Sequence, residues 1–560
     1  MKKNLLNLLK RYKHPLVFLL AITVFAFAFT THIYPKVKAK LLEDETWLRA
    51  NINIKLDQTL GDNIYVIDAP DDVDIFTETY QKIIEDKINK QLKKGNYTFD
   101  SPLIILNPYG TNNTGLNIYY TDDTDATLSY TIKATGTNDY SQTLTKKENS
   151  NYEYQIIGLV SSKTNIIDLK LMANGQTIKT NKIKIKMPKS ESKVDAKLDT
   201  EKGKSKKSLT DGLYALLGHD KSFNSNIYLY DNDGVLRAEL GLKSYRTDRI
   251  IFEDDYMIYC YKNNGFIKVD STGKIIDFYG IKGYTMHHDF VYDEINNKLV
   301  ILANKNKEDT IEDYVIALDL ETKEVSELLD MKDYFKDYYD TAEIPEEGNT
   351  YGGDELDWIH LNSLQIINGK DILLSAREIS SIIRINDVYE NPTLKYILAD
   401  ESMIDESSYE EYSYTKIGDF TSHAGQHTVT YTEDDSLEDG QYYITIYNNN
   451  YGGARTRPNF DWSNYEGVGT YEKGTNSKFY KYLIDEKTKT YTLIQSFNVP
   501  YSSIVSSIEY YKENIITSSG KDHSFGEYDS DGNLIIQFNY TSKKYAYRAF
   551  KYDFNGIWFQ

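Results

Sequence analysis

From Leu209 onward one short unit keeps returning: an apolar strand, a tight turn and a second strand. Asn226 to Tyr230, Asp231-Asn232-Asp233-Gly234 and Val235 to Leu240 make one such hairpin. Phe266 to Val269, Ser271-Thr272-Gly273-Lys274 and Ile275 to Tyr279 make another. The form recurs at Tyr314 to Leu320 with Glu321-Thr322-Lys323, at Tyr480 to Ile484 with Glu486-Lys487-Thr488, and at Gly526 to Tyr528 with Asp529-Ser530-Asp531-Gly532. Gly, Asn and Asp in these turns suit the backbone angles that a tight reversal demands. A four-strand unit repeated around a ring is the signature of a propeller. About 350 residues in units of roughly 50 to 60 predict six blades over residues 209–560. The last strand, Tyr545 to Tyr552, is expected to complete the ring with the first strand of the block.

The segments upstream have other characters. Period-two alternation at Leu116 to Tyr120 and Thr127 to Ile132, with further short strands to Ile185, predicts a small β-sandwich over 98–187. Residues 188–208, rich in Ser, Lys, Glu and Asp, read as a flexible linker. Over 41–97, Ile75, Phe76, Tyr80, Ile83, Ile84, Ile88 and Leu92 recur at helical spacing and Gly95 ends the pattern. This predicts a partly helical stalk whose apolar stripe packs on a core or on a partner helix, a homodimer contact included.

Residues 1–14 carry Lys2, Lys3, Lys10, Arg11 and Lys13, and an apolar run follows from Leu16 to about Thr30. By the positive-inside rule the basic segment stays in the cytoplasm, and 15–34 forms an uncleaved anchor or a signal segment. The rest of the chain is therefore expected outside the cytoplasm, anchored to the membrane, or secreted if the segment is cleaved. The fold class is all-β: a sandwich and a six-bladed propeller behind an N-terminal helix and stalk.

The net charge of -20 speaks against nucleic acid as a partner. It also makes any anion site a local exception built from a few cationic groups. Cys260 is the single cysteine, so no disulfide closes within the chain; in Tyr259-Cys260-Tyr261 it reads as a packed core thiol.

Five of the nine histidines fall in three clusters of the repeat block: Met286-His287-His288-Asp289-Phe290, Asp357-Trp358-Ile359-His360-Leu361-Asn362-Ser363, and Ser422-His423-Ala424-Gly425-Gln426-His427-Thr428. Each opens a blade-like unit, whose first strand lines the central channel, so these residues are expected to converge. Arg377 follows His360 by one hairpin. A neutral imidazole can attack sulfur or phosphorus and form a covalent intermediate. A guanidinium, further imidazoles and an amide can hold the equatorial oxygens. A metal site is the alternative for His with carboxylates, although His423 and His427 flank Ala-Gly rather than a helical turn.

These segments resemble the signatures of the bacterial arylsulfotransferases, the type that needs no nucleotide sulfate donor. The likeness takes in Asn107-Pro108-Tyr109-Gly110-Thr111-Asn112, the His-His-Asp-Phe stretch, Asp-Trp-Ile-His-Leu-Asn-Ser, the later Ala-Arg and Gln-His-Thr, in order from about residue 98 to the C-terminus. The resemblance implies ping-pong transfer from an aryl sulfate to a phenol, without metal or cofactor. It implies His427 as the sulfurylated nucleophile, with His360, Asn362 and Arg377 on the sulfuryl oxygens. It implies His288, or His287, at the donor and its phenolic proton, and Ser506 as an added hydroxyl. The chain departs from proteobacterial members in lacking a disulfide. Two other readings stay open: a non-catalytic surface module binding glycan or protein, and a metal-dependent sulfate ester hydrolase.

Overall fold

The alternation in the first third folds as two facing sheets. In this computed structural model, residues 31, 34–146, 150–190, 192, 194–218, 226–243, 246–344, 355–404, 408–543 and 545–560 are described. One sheet runs in the order Asn53–Leu56, Ile64–Asp68, Leu103–Leu106, Leu116–Thr121, Asn151–Ile156. The other runs Tyr140–Thr143, Thr127–Ala134, Thr164–Ala173, Gln176–Lys186. Ile118, Tyr120, Leu128, Tyr130, Ile167 and Leu169, on alternate strand positions, fill the space between them.

The stalk expected over 41–97 is not separate from this sandwich. Ile64–Asp68 pairs in parallel with the strand after it, and Asn53–Leu56 adds an outer edge. Helix Glu78–Leu92, capped by the Thr77 hydroxyl, buries Tyr80, Ile83, Ile84 and Ile88 against Leu103, Ile105 and Tyr119 of the same sheet. Strands of four and five residues carry too little periodicity to be read in advance, whereas a fifteen-residue helix carries enough. The anchor assigned to 15–34 falls almost wholly outside the described residues, among which no helix is long and apolar enough to cross a membrane.

Among the described residues, six sheets follow, each built almost entirely from consecutive antiparallel strands, with Thr415–Ile417 added in parallel at the outer edge of the fifth. The first joins Leu213–Leu217, Asn226–Tyr230 and Leu236–Gly241 to the C-terminal strand Arg548–Tyr552. The second spans Ile251–Glu253 to Ile275–Gly280, the third Tyr284–Asp293 to Val325–Asp330, and the fourth Leu361–Ile367 to Thr393–Leu398. The fifth spans His427–Thr432 to Thr490–Val499, and the sixth Ser506–Tyr511 to Leu534–Asn539. The Tyr284–Asp293, Leu361–Ile367, His427–Thr432, Ser506–Tyr511 and Arg548–Tyr552 strands touch one another in that order. Ile251, Tyr292, Leu364, Val429, Ile508 and Phe550, one from each sheet, line a central cavity of about 540 Å³. The C-terminal strand closes against the first as the repeat pattern requires, with Leu213 opposite Tyr552 and Leu217 opposite Arg548.

The segment read as a linker, 188–208, is instead a strap. Asp199–Lys202 pairs antiparallel with Leu534–Asn539, and Leu198 is buried with its N–H on the Gly234 carbonyl at 2.8 Å. One segment thus ties the sixth sheet to the first. Ladder hydrogen bonds use backbone groups, so a polar composition does not forbid a strand on the outer edge.

Candidate functional site

The inner strands that carry the histidines are interrupted where those histidines stand. Between Met286, opposite Ala303, and Phe290, opposite Ile301, the third sheet accommodates three residues against one. His287, His288 and Asp289 are thrown out of the ladder there, with His288 at φ 53. In the fourth sheet His360 has φ 55 and Asn362 is the extra residue between Leu361 and Ser363. In the fifth, Thr428 at φ 52 is extra between His427 and Val429. Val505, at φ 48, precedes the sixth inner strand. Bulges re-aim side chains, and left-handed residues of this kind concentrate at functional sites. Gly425, at φ 63, lets the chain turn under Tyr451, whose carbonyl a Cβ would meet at 3.0 Å.

His427 is buried, and burial lowers its pKa to about 3. Its Nδ1 lies 2.8 Å from Asn449 Oδ1 and 3.2 Å from the Gly425 carbonyl. The Asn449 amide nitrogen donates to the Ser502 carbonyl at 2.7 Å and to Ser506 Oγ at 3.1 Å. Ser506 therefore engages the group behind His427. Gln426 locks the strand entry to the fourth sheet, donating to the Ser381 carbonyl at 2.9 Å and accepting from Asn362 Nδ2 at 2.8 Å.

His360 is the electrostatic opposite of His427. Burial and Arg377 depress it, but Asp357 and Glu312 outweigh them and raise it to about 9. Its Nδ1 is 2.6 Å from Asp357 Oδ2 and in ion contact with Glu312. Arg377 Nη2 stands 3.7 Å from the same Asp357 oxygen and 3.5 Å from Glu378. The Arg377 N–H donates to the His360 carbonyl, which joins the two neighbouring strands at the site. His288, held well down by burial and by the charge on His360, lies with its ring centroid 4.9 Å from that of His360. His287 stands behind it, the two Nδ1 atoms 3.0 Å apart.

Tyr547 completes the group: its ring lies 5.3 Å from His288 and 6.4 Å from His427, and its hydroxyl donates to the Asn362 carbonyl at 3.3 Å. Arg246 covers the Tyr547 ring at 4.4 Å. His288, His360, Asn362, Arg377 and His427 thus meet around one small space. His423, from the same cluster as His427, does not: its Nδ1 faces Tyr482 Oη at 3.1 Å in the fifth-sheet core. Trp358 is core as well, its Nε1 donating to Asp313. The cysteine packs among Ile258, Phe266 and Phe290.

Two sets, His287/His288/Glu312 and Glu312/Asp357/His360, each hold their ligand atoms within 4.8 Å of one another. In the second set a protonated imidazole and the nearby guanidinium already balance the carboxylates. A cation there would have to displace the His360 proton and lie beside Arg377, which makes the set a poor fit to a metal.

Asn449, Tyr547, Glu312 and Asp289 were not singled out in the sequence. Asn449 lies inside Asn448-Asn449-Asn450-Tyr451 and Tyr547 is one of 50 tyrosines. Asp357 and Asp289 stand inside quoted motifs beside the histidines, but nothing in the sequence marks either as a partner of those rings.

A family model described as arylsulfotransferase (ASST) matches residues 198–554, and one described as arylsulfotransferase Ig-like domain matches 103–188. No curated protein matches the chain. Among solved structures, it is similar to an auxiliary nutrient binding protein from Bacteroides thetaiotaomicron at 9% identity and TM-score 0.31, covering 80% of this chain and 93% of that one. It is also similar to the WD40 domain of Toxoplasma gondii coronin at 10% identity and TM-score 0.30, over 61% and 76% respectively.

Proposed function

The chain belongs to the arylsulfotransferase family, and on that premise we propose that it moves a sulfuryl group from an aryl sulfate to a phenol through His427. The site lies at one mouth of a six-bladed β-propeller over 209–560, behind an Ig-like sandwich that occupies 98–187 and borrows two strands from the segment before it. A location outside the cytoplasm, tethered through 15–34, belongs to the same reading and rests on the basic and apolar start of the sequence.

The observation that carries the reading is a division of charge among neighbours. Burial keeps His427 neutral down to about pH 3, while Asp357 and Glu312 keep His360 protonated up to about 9. A nucleophile needs a lone pair and a sulfuryl group needs cations, and the same small space supplies both. In the first half-reaction the His427 Nε2 lone pair bonds to sulfur. The bond from sulfur to the aryl oxygen breaks, and the phenolate leaves and takes a proton from water. His360, Arg377 and the second amide N–H of Asn362 hold the three sulfuryl oxygens. In the second half-reaction neutral His288 takes the proton of the acceptor phenol as its oxygen attacks sulfur. The nitrogen–sulfur pair returns to His427, and His288 releases its proton to solvent.

The test is 4-nitrophenyl sulfate turnover with and without phenol, beside His427→Ala. Release of 4-nitrophenolate that depends on phenol, and is lost in the variant, is expected. Turnover unchanged in the variant, or no transfer to any phenol, would overturn the reading.

A further inference from the structure

We propose that Asn449 is the positioning residue that holds His427 in its Nδ1-protonated tautomer, and so aims the Nε2 lone pair at the incoming sulfur. This rests on the function proposed above and extends it to a residue outside the histidine clusters.

An amide has one donor end and one acceptor end, so its surroundings decide which way it faces. For Asn449 they decide unambiguously. The Ser502 carbonyl, 2.7 Å from Nδ2, can only accept, so Nδ2 must be the donor there. Oδ1 is then the atom turned to His427 Nδ1 at 2.8 Å, and it can only accept. The Gly425 carbonyl, 3.2 Å from the same ring nitrogen, can also only accept. With two acceptors facing Nδ1, the neutral ring carries its proton on Nδ1, and the lone pair falls on Nε2. None of the described residues makes a hydrogen bond to Nε2.

The cage behind Asn449 resists reversal. Ser477 Oγ donates to the Asn449 carbonyl at 2.9 Å and accepts the Ser502 N–H at 2.9 Å. Asn449 and Ser502 are therefore tied at two levels, backbone and side chain. Ser506 Oγ lies 3.1 Å from Nδ2, close enough to be the second acceptor of the same amide. Asn449 is itself fully buried, so water does not compete for either end. A neutral amide also suits the chemistry. It fixes the tautomer without adding negative charge, which would favour imidazolium and remove the lone pair.

The test compares Asn449→Ala and Asn449→Asp with wild type and His427→Ala, using 4-nitrophenyl sulfate and phenol over a range of pH. Asn449→Ala is expected to lower kcat/KM by about 10- to 100-fold, mainly in kcat. Asn449→Asp has nearly the same shape and is expected to raise the acid limb of the profile by about one to three pH units, a shift that a merely structural role would not cause. Circular dichroism identifies a variant that has failed to fold. A measurement on the unsubstituted protein decides the matter in that event: with ¹⁵N-labelled histidine, the resonances missing in His427→Ala assign the ring, and Nε2 is expected without a proton. A proton on Nε2 overturns the proposal. So do folded Asn449 variants with wild-type rates and profiles beside an inactive His427→Ala. Full activity in His427→Ala would instead overturn the nucleophile assignment above.

Discussion

His360 Nδ1 lies 2.6 Å from Asp357 Oδ2, three residues earlier in the chain, at the turn that enters the fourth inner strand. The contact explains how two buried imidazoles in one small space take opposite charge states. His427 faces an amide, whose hydrogen bond offsets only part of its burial, and Arg377, His360 and Arg548 add to the lowering. His360 faces Asp357 and Glu312, and it keeps its proton although Arg377 opposes it. Neutral and cationic roles are thus assigned by the partner behind each ring.

Asp357→Asn should therefore act through His360. In wild type the folded pKa of about 9 lies above the ordinary value of 6.5. The stabilisation is fully present below 6.5 and is lost as pH rises through 9. Transfer should fall along the same limb as the cation disappears. In the variant the limb should move down by about one to three pH units, and melting temperature should depend less on pH between 7 and 9. Profiles of kcat/KM and of melting temperature against pH check this, and an unmoved alkaline limb would refute it.

Acid should weaken the fold through a different set of histidines. Burial lowers His287 and His427 to about 3 and His423 to about 4. Each stays neutral in the folded chain while the unfolded chain takes up a proton below about 6.5. Stability present above 6.5 should therefore decline as pH falls toward these values, by about 1.4 kcal/mol per pH unit for each proton. Thermal melts from pH 7 to 4.5 should show a steep decline, shallower in His427→Ala. A flat curve would mean that these rings titrate normally.

How far the sequence discloses the molecule depends on whether a feature is periodic or conformational. Turn glycines such as Gly234, Gly273 and Gly532 mark hairpins, and alternating tyrosines mark strands, so the sheet units are legible. Convergence of His288, His360 and His427 follows from their common place at the starts of units. The direction each side chain takes is not legible, because it depends on bulges. The extra residues Asn362 and Thr428 reverse the alternation locally. His423 precedes the strand that begins at His427, with the left-handed Gly425 between them, and it ends in the core. Asn449 carries no signal inside a run of three asparagines, and its partners Ser502 and Ser506 lie more than fifty residues away. The strap at Asp199–Lys202 escapes notice because its pairing is backbone to backbone.

The floor of the site predicts a pair of opposite mutational outcomes. Asp289 Oδ1 and Arg548 Nη1 are 2.6 Å apart, with side-chain exposures of 1% and 0%. Arg548 Nη2 reaches the Asn362 carbonyl at 3.1 Å, and Asp289 Oδ2 takes the Leu364 N–H at 3.3 Å. Removing one partner leaves the other charged in a place water does not enter. Asp289→Leu or Arg548→Met alone should cost about 3–5 kcal/mol in chemical unfolding. Arg249, 3.3 Å from Asp289, should soften the Arg548→Met variant more than the other, since it can still balance the carboxylate. Replacing both partners, as Asp289→Leu with Arg548→Met, should recover part of the loss, because neither member of the pair is then left charged without the other. Transfer activity should not recover with it, because the contact that seats Asn362 depends on the guanidinium. A double-mutant cycle read in both stability and kcat/KM separates the two effects. Simple additivity in stability would show that the ion pair does not hold the floor together.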